Sequence, residues 1–353
     1  MKIGIYNPYL DSLSGGERYM LTIASCLSHQ HDVSVFWDDH TILKKAHDRL
    51  SIDLKKVTVA PNIFDRGIPF LKSMVTTPQY DLIVVLCDGS IPFINSPVGI
   101  LHFQRPFAGV GGFSLANQIK LKKYQKVICN SQFTKKYIDR EYHVKSEIIY
   151  PPVDTDTFKN AKKENMILSV GRFHPFKKHE IMIQAFTNLS KSLKGWRLVI
   201  AGGLLPDDKE YYSQLTRMIE IDSIILLPNQ PFSSLKKLYA KAKIYWHAAG
   251  FGEDEKTHPE NFEHFGITPV EAMTADCIPV VFNGGGLPEI ITHETNGFLW
   301  NTVDELILYT RKIVRNNELK KNIIATNKLQ IQQFSQTHFC DEINKLVLSL
   351  RGV

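Results

Sequence analysis

The feature that most constrains this chain is a pattern that runs, stops and restarts. Apolar runs of strand length at residues 2–6, 33–37, 82–86, 98–103, 127–130 and 148–150 alternate with helical periodicity. Residues 15–27 carry Tyr19, Met20, Ile23, Ala24 and Leu27 on one helical stripe, and Ser131 is a good N-cap for a helix ending near Tyr142. The stretch at 150–165, YPPVDTDTFKNAKKEN, then breaks the alternation with two prolines and polar residues, which reads as an interdomain linker. Strands resume at 166–170, 197–201, 224–227, 244–247 and 278–282, with helices between and after them. Such alternation implies parallel sheets covered by helices on both faces. At 353 residues one core is too few. The expected class is α/β, with doubly wound parallel-sheet domains at 1–155 and 156–334. A terminal helix at 335–353 is expected to pack back on the first domain.

Composition narrows the function classes. A hydrophobic fraction of 43% and a charged fraction of 22% are those of a globular chain. No apolar run approaches the roughly 18–20 residues of a membrane span, and no leader is expected. Five scattered cysteines (26, 87, 129, 277, 340) show no zinc spacing and read as reduced core residues of a cytoplasmic protein. The net charge of +6 is uneven: residues 1–150 carry 18 Lys and Arg against 13 Asp and Glu, a net +5. Much of this sits in Lys120, Lys122, Lys123, Lys126, Lys135, Lys136, Arg140 and Lys145. That cluster fits either a solvated helix face or anionic headgroups at the inner face of a membrane, at roughly 1 kcal/mol per basic residue. It lacks the interleaved aromatics and motifs of nucleic-acid binders, so no nucleic acid is expected.

Open parallel sheets bind ligands beyond the carboxyl ends of their strands, and four junctions there carry unusual residues. Gly15 and Gly16 open the first helix, where backbone N–H groups can meet a phosphate. Gly171-Arg172-Phe173-His174-Pro175-Phe176-Lys177 follows a strand and sets two cations around a turn, able to neutralise a diphosphate. Glu263 and Glu271 flank a Gly-Ile-Thr-Pro loop. Thr268-x-x-Glu271 matches a capping box, so Glu271 is open to a purely structural role, whereas Glu263 is a loop carboxylate suited to sugar hydroxyls. Gly284-Gly285-Gly286 between strand and helix exceeds what a tight turn requires.

With these residues in place, the run SSLKKLYAKAKIYWHAAGFGE…FEHFGITPVEAMTADCIPVVFNGGGLPEIITHETNG at 233–297 resembles the donor-binding half of retaining glycosyltransferase family 4. Gly171-Arg172…Lys177, Cys129-Asn130-Ser131-Gln132-Phe133-Thr134 and Gly15-Gly16 match further family landmarks in order. The resemblance implies a GT-B fold, two Rossmann-like domains facing a cleft. It also implies a nucleotide diphosphate sugar, GDP- or UDP-linked, as donor substrate, with no metal and no other cofactor. By it, Arg172 and Lys177 hold the leaving diphosphate and Glu271 the ribose. Glu263, with the backbone N–H groups of Phe265, Gly266 and Ile267, holds the donor hexose. Gly285 and Gly286 line the donor site, and His102 stands beside the donor sugar. The expected acceptor is a saccharide or lipid-linked saccharide, with peripheral contact to anionic membrane.

The sequence departs from the family at Lys178, where glycine usually follows the phosphate lysine, and in a long polar loop at 251–261. The loop's Glu253, Asp254, Glu255 and Glu260 have the spacing of a solvated loop; Asp38-Asp39 resembles a metal-binding carboxylate pair, but the family resemblance implies that no such pair is used. The alternatives left open are a non-hydrolysing sugar-nucleotide epimerase and a silent nucleotide-binding partner of a transferase. The motif Glu-His-Phe-Gly with its long preceding loop looks more like mannosyl-type members of the family, a resemblance that implies GDP-mannose.

Overall fold

The computed structural model describes residues 1–64, 70–155 and 161–350. Part of the expected linker, 156–160, and the boundary placed at 155–156 touch residues outside that description. The chain divides into two compact units, Met1–Pro152 with Gln336–Val353, and Val153–Ser335.

The first unit is a seven-stranded parallel sheet. Its strands are β1 (Lys2–Tyr6), β2 (Asp32–Phe36), β3 (Val57–Ala60), β4 (Leu82–Leu86), β5 (Val98–Phe103), β6 (Lys126–Cys129) and β7 (Glu147–Ile148). They lie in the order β3-β2-β1-β4-β5-β6-β7, every pair parallel. The helices are α1 (Gly15–Ser28), α2 (Ile42–Leu50), α3 (Phe70–Thr76), α4 (Leu115–Leu121) and α5 (Gln132–Tyr142). β4 and β5 are buried at every position, which is why they read as continuous apolar runs and not as alternating ones. β3 escaped the sequence reading because it sits at the sheet edge, mostly half-exposed, with a polar flank.

The second unit repeats the plan with six parallel strands: β8 (Met166–Val170), β9 (Arg197–Gly202), β10 (Ile224–Pro228), β11 (Ile244–His247), β12 (Ile278–Phe282) and β13 (Phe298–Trp300). The order is β10-β9-β8-β11-β12-β13. Its helices are α6 (His179–Ser190), α7 (Lys209–Arg217), α8 (Phe232–Lys241), α9 (Ile267–Thr274), α10 (Leu287–Ile290), α11 (Val303–Arg315) and α12 (Asn317–Gln330). Trp246 and Trp300 are wholly buried and join Phe186 and Phe298 in this unit's core. β13 was missed because three residues carry too little period.

The last helix, α13 (Gln336–Ser349), belongs to the first unit, where Phe339, Ile343, Leu346 and Val347 join the core around α1. A disulfide between Cys26 on α1 and Cys340 on α13 corrects the expectation of five reduced cysteines. The partners are 314 positions apart, so proximity arises only when the terminal helix returns to α1. Cys87, Cys129 and Cys277 are buried free thiols, and burial pushes their pKa values up to about 12, about 12 and about 11. Among the described residues no helix is long and apolar enough to cross a membrane.

Candidate active site

In the second unit β8 and β11 are neighbours, but the chain leaves β8 toward β9 and β11 toward β12. Their exit loops diverge and leave a crevice at the carboxyl ends, the place where doubly wound sheets bind ligands. The chemistry-bearing residues of this unit leave from those two strands.

After β8 comes a short 3-10 turn, Pro175–Lys177, whose Phe176 N–H donates to His174 Nδ1 at 3.4 Å. The turn ends in a left-handed residue, Lys178 at φ 54°. Glycine takes this conformation freely, whereas another residue is strained by about 1–2 kcal/mol. Lys178 offsets that strain by pairing with Glu253, whose other carboxylate oxygen accepts from Asn261 Nδ2 at 2.9 Å. The departure from the family pattern therefore carries its own support from the long loop after β11.

Lys177 and Arg172 both pack against Phe176, with their cationic groups 5.2 and 5.6 Å from its ring centre. Arg172 remains 41% exposed, with Nε 3.3 Å from the buried Asp208 carboxylate. Lys177 turns inward. Its ammonium is 2.6 Å from Glu263 Oε2, and the two side chains are only 18% and 17% exposed. The same oxygen lies 2.8 Å from His247 Nε2. Ala249 N–H donates to His247 Nδ1 at 3.4 Å, which makes Nδ1 the acceptor and leaves the ring proton on Nε2, aimed at Glu263.

These contacts set the protonation states. Burial alone would raise the Glu263 pKa, but the Lys177 charge and the His247 hydrogen bond hold it well below the ordinary carboxylate range. Burial lowers the His247 pKa, and Glu263 only partly restores it, so the ring is neutral. His179, at the start of α6, is pushed down to about 3 by burial, with the Lys177 charge and His247 adding to it, and its Nδ1 has no hydrogen-bond partner. One carboxylate, one ammonium and two neutral imidazoles thus share the crevice.

His247 and His179 were not singled out from sequence. The available signal was position: His247 is the one polar residue of the strand Ile-Tyr-Trp-His and stands at its carboxyl end.

The capping-box expectation at α9 is corrected. The helix begins at Ile267 with Gly266 as N-cap at φ 119° and no side-chain cap. Thr268 lies two positions past the N-cap, too far in to cap, and its Oγ1 instead meets Tyr245 Oη at 2.7 Å. Tyr245 Oη donates to the Val170 carbonyl at 3.1 Å, so the threonine hydroxyl is the donor between the two. Glu271, freed from capping, accepts from Tyr239 Oη at 2.9 Å. Phe265, Gly266 and Ile267 stand where α9 opens, and the first amides of a helix lack intrahelical partners.

The glycine run has a structural reason. A Cβ on Gly285, which lies at φ +62°, would come within 2.3 Å of the Glu263 carbonyl, and one on Gly286 within 2.5 Å of the His264 carbonyl. Gly286 N–H donates to the Glu263 carbonyl at 2.7 Å. The run lets one backbone lie against another and fixes the loop that carries Glu263. Gly285→Ala is accordingly expected to destabilise the protein by about 2–4 kcal/mol, through left-handed strain and overpacking. Gly203→Ala, where a Cβ meets nothing within 4 Å, is the control and should change stability by less than about 0.5 kcal/mol in urea unfolding.

Gly15, Gly16 and His102 lie in the first unit. Gly16 backs onto Gln104, whose Nε2 donates to the Gly16 carbonyl at 3.0 Å, and a Cβ there would meet Gln104 Oε1 at 2.4 Å. Glu17 reaches back to Ser14 N–H at 2.9 Å and caps α1. His102 ends near the edge of β5 but is fully buried, stacked under Tyr19 at 4.0 Å between ring centres. Its Nδ1 donates to the Ile128 carbonyl at 3.3 Å, and its Nε2 is buried with no partner. Burial pushes its pKa down to about 3. The structure thus places His102 inside the first unit, packed on Tyr19.

Among the described residues no three of His, Cys, Asp and Glu come together as metal ligands. Glu253 and Asp39 are taken by Lys178 and Lys45, and Asp38 accepts from Asn62 N–H at 3.1 Å.

The profile of a family described as "Glycosyl transferases group 1" matches residues 153–330. A GDP-Man:Man(3)GlcNAc(2)-PP-Dol alpha-1,2-mannosyltransferase of Dictyostelium discoideum is 28% identical over 223 residues, covering 58% of this chain and 42% of that protein. The chain thus spans about two fifths of the length of such relatives. A glycosyltransferase from Rickettsia africae ESF-5 shares the fold with a TM-score of 0.79 at 18% identity, over 99% of this chain and 98% of that one. Anabaena HepE in complex with UDP does so at 0.75 and 20%, over 99% and 100%. With two Rossmann-like units on the GT-B plan and a family profile that takes in the whole Arg172–Gly286 crevice, this chain belongs to the group 1 glycosyltransferases.

Proposed function

We propose that the chain transfers a hexose, mannose in the first instance, from a nucleotide diphosphate donor to a saccharide or lipid-linked acceptor. Retention of configuration and independence of metal ions are part of the proposal. The observation that carries it is the Lys177–Glu263–His247 cluster at the carboxyl ends of β8 and β11. The mannosyltransferase relatives support the choice of sugar.

The paired side chains act as placeholders for substrate groups. A donor diphosphate entering the Arg172–Lys177 turn competes for the Lys177 ammonium, and Arg172 adds forked hydrogen bonds. Glu263, relieved of the ammonium but still held by His247, then accepts from hexose hydroxyls, while Glu271 takes the ribose. Fixed cations and the amides opening α9 stabilise the charge that grows on the departing diphosphate. The acceptor hydroxyl attacks from the face the diphosphate leaves, and a diphosphate oxygen takes its proton.

A thermal-shift series with GDP-mannose, UDP-glucose and ADP-glucose, followed by transfer assays in chelator, tests this reading. GDP-mannose is expected to raise Tm most, since a ligand that binds only the folded state stabilises it, and turnover should survive chelation. Turnover lost in chelator and restored by magnesium or manganese refutes the metal-independent mechanism.

A further inference from the structure

We propose that Asp208 is the positioning residue of Arg172, holding its guanidinium by the Nε flank so that the terminal nitrogens meet the departing diphosphate. That role rests on the donor diphosphate lying at the Arg172–Lys177 turn.

Asp208 stands where a different task was open to it. It closes the short 3-10 turn Pro206–Asp208 and is the N-cap of α7. Aspartate is favoured there because its carboxylate accepts from a backbone N–H two or three residues on. Here the side chain makes no such cap. It is 7% exposed, and its Oδ2 is buried without a hydrogen bond. A carboxylate oxygen left in that state is costly. Oδ2 lies 3.3 Å from Arg172 Nε, and Oδ1 lies 3.9 Å from His174 Nε2. Phe176 N–H donates to His174 Nδ1, so the imidazole proton sits on Nε2, the nitrogen toward Asp208. The carboxylate therefore faces two side chains of the turn after β8 and forgoes the amides of its own helix.

The approach is set by backbone. Phe173 N–H donates to the Gly203 carbonyl at 2.8 Å, and Gly171 N–H to the Ala201 carbonyl at 3.0 Å. A Cβ on Gly202 would come within 1.8 Å of the Gly171 carbonyl oxygen, so glycine is what lets the exits of β8 and β9 run this close. The β9 exit thus delivers Asp208 to Arg172. With Nε facing Asp208, the N–H groups on Nη1 and Nη2 stay available, and the side chain is 41% exposed. A diphosphate on those nitrogens sits nearer the guanidinium than the carboxylate, so attraction outweighs repulsion.

An aimed cation and a merely attractive one differ in kinetics. Without its anchor Arg172 still attracts the donor, and the repulsion from Asp208 is gone. Stabilising the transition state, by contrast, needs the group in place before the charge develops.

The test is Asp208→Asn in the full chain, beside Arg172→Ala, the double variant and Asp207→Asn at the exposed neighbour, with GDP-mannose turnover and thermal melts read together. Asp208→Asn is expected to lower kcat about ten- to a hundredfold, the scale on which a slightly misplaced group costs rate. KM for the donor should be no higher than in wild type. Its Tm should equal or exceed that of wild type, since asparagine caps a helix as well as aspartate does and the buried charge is removed. Asp207→Asn should leave both readouts unchanged. The double variant should be no slower than Arg172→Ala, because an anchor has no further effect once the group it holds is gone. Wild-type kcat in Asp208→Asn while Arg172→Ala is slow, a Tm that falls along with kcat, or losses that multiply in the double variant overturn the role given to Asp208. Arg172→Ala turning over at the wild-type rate overturns the placement of the diphosphate instead, and takes this role with it.

Discussion

Lys177→Ala is expected to lower kcat by about a hundred- to a thousandfold, the usual effect of removing one preorganised group that stabilises growing negative charge. The side chain faces a single carboxylate at 2.6 Å in a mostly buried site, so its charge is undiluted by water. Folding should survive, because His247 still donates to Glu263 and the carboxyl can take up a proton once its counter-charge is gone. Steady-state transfer from GDP-mannose, read beside a thermal melt, separates the two effects. A variant that melts normally and turns over within tenfold of wild type would falsify the role given to Lys177.

Glu263→Gln has the larger effect on stability. It leaves the Lys177 ammonium mostly buried without a counter-charge, and losing one partner of such a pair costs about 3 kcal/mol. The pH dependence gives a sharper signature. Glu263 is held well below its ordinary value of 4.5 in the folded chain, so the unfolded chain binds that proton first. The pair therefore stabilises the fold above about pH 4.5, and its contribution drains away as pH falls further. Urea unfolding between about pH 7 and about pH 3 should show a steep acid limb in wild type and a shallower one in Glu263→Gln. Parallel limbs would mean that Glu263 is not the carboxylate whose charge the fold protects.

The alternation of strand and helix, its interruption at 150–165 and the residues at the strand ends made the two-unit α/β plan and the Arg172, Lys177 and Glu263 positions legible in advance. These depend on local periodicity, on glycine and proline, and on the rule that places ligands at strand ends. Edge elements such as β3 and β13 were not legible, since short, half-exposed strands carry little period. The capping box at Thr268 was misread because a four-residue match is local, while the hydroxyl of Tyr245 offered Thr268 a better partner from another strand.

By itself, the sequence determined which elements form and which residue types stand at their ends, because propensity and periodicity act over a few neighbours. Only the tertiary structure decided who meets whom. It brought His247 to Glu263 across 16 positions and Lys177 to the same oxygen across 86. It also joined Cys26 to Cys340 across 314. It buried His102 beneath Tyr19 and turned Val110 and Phe113 to water. Such pairings follow from sheet order and chain return, and no local window of residues encodes either.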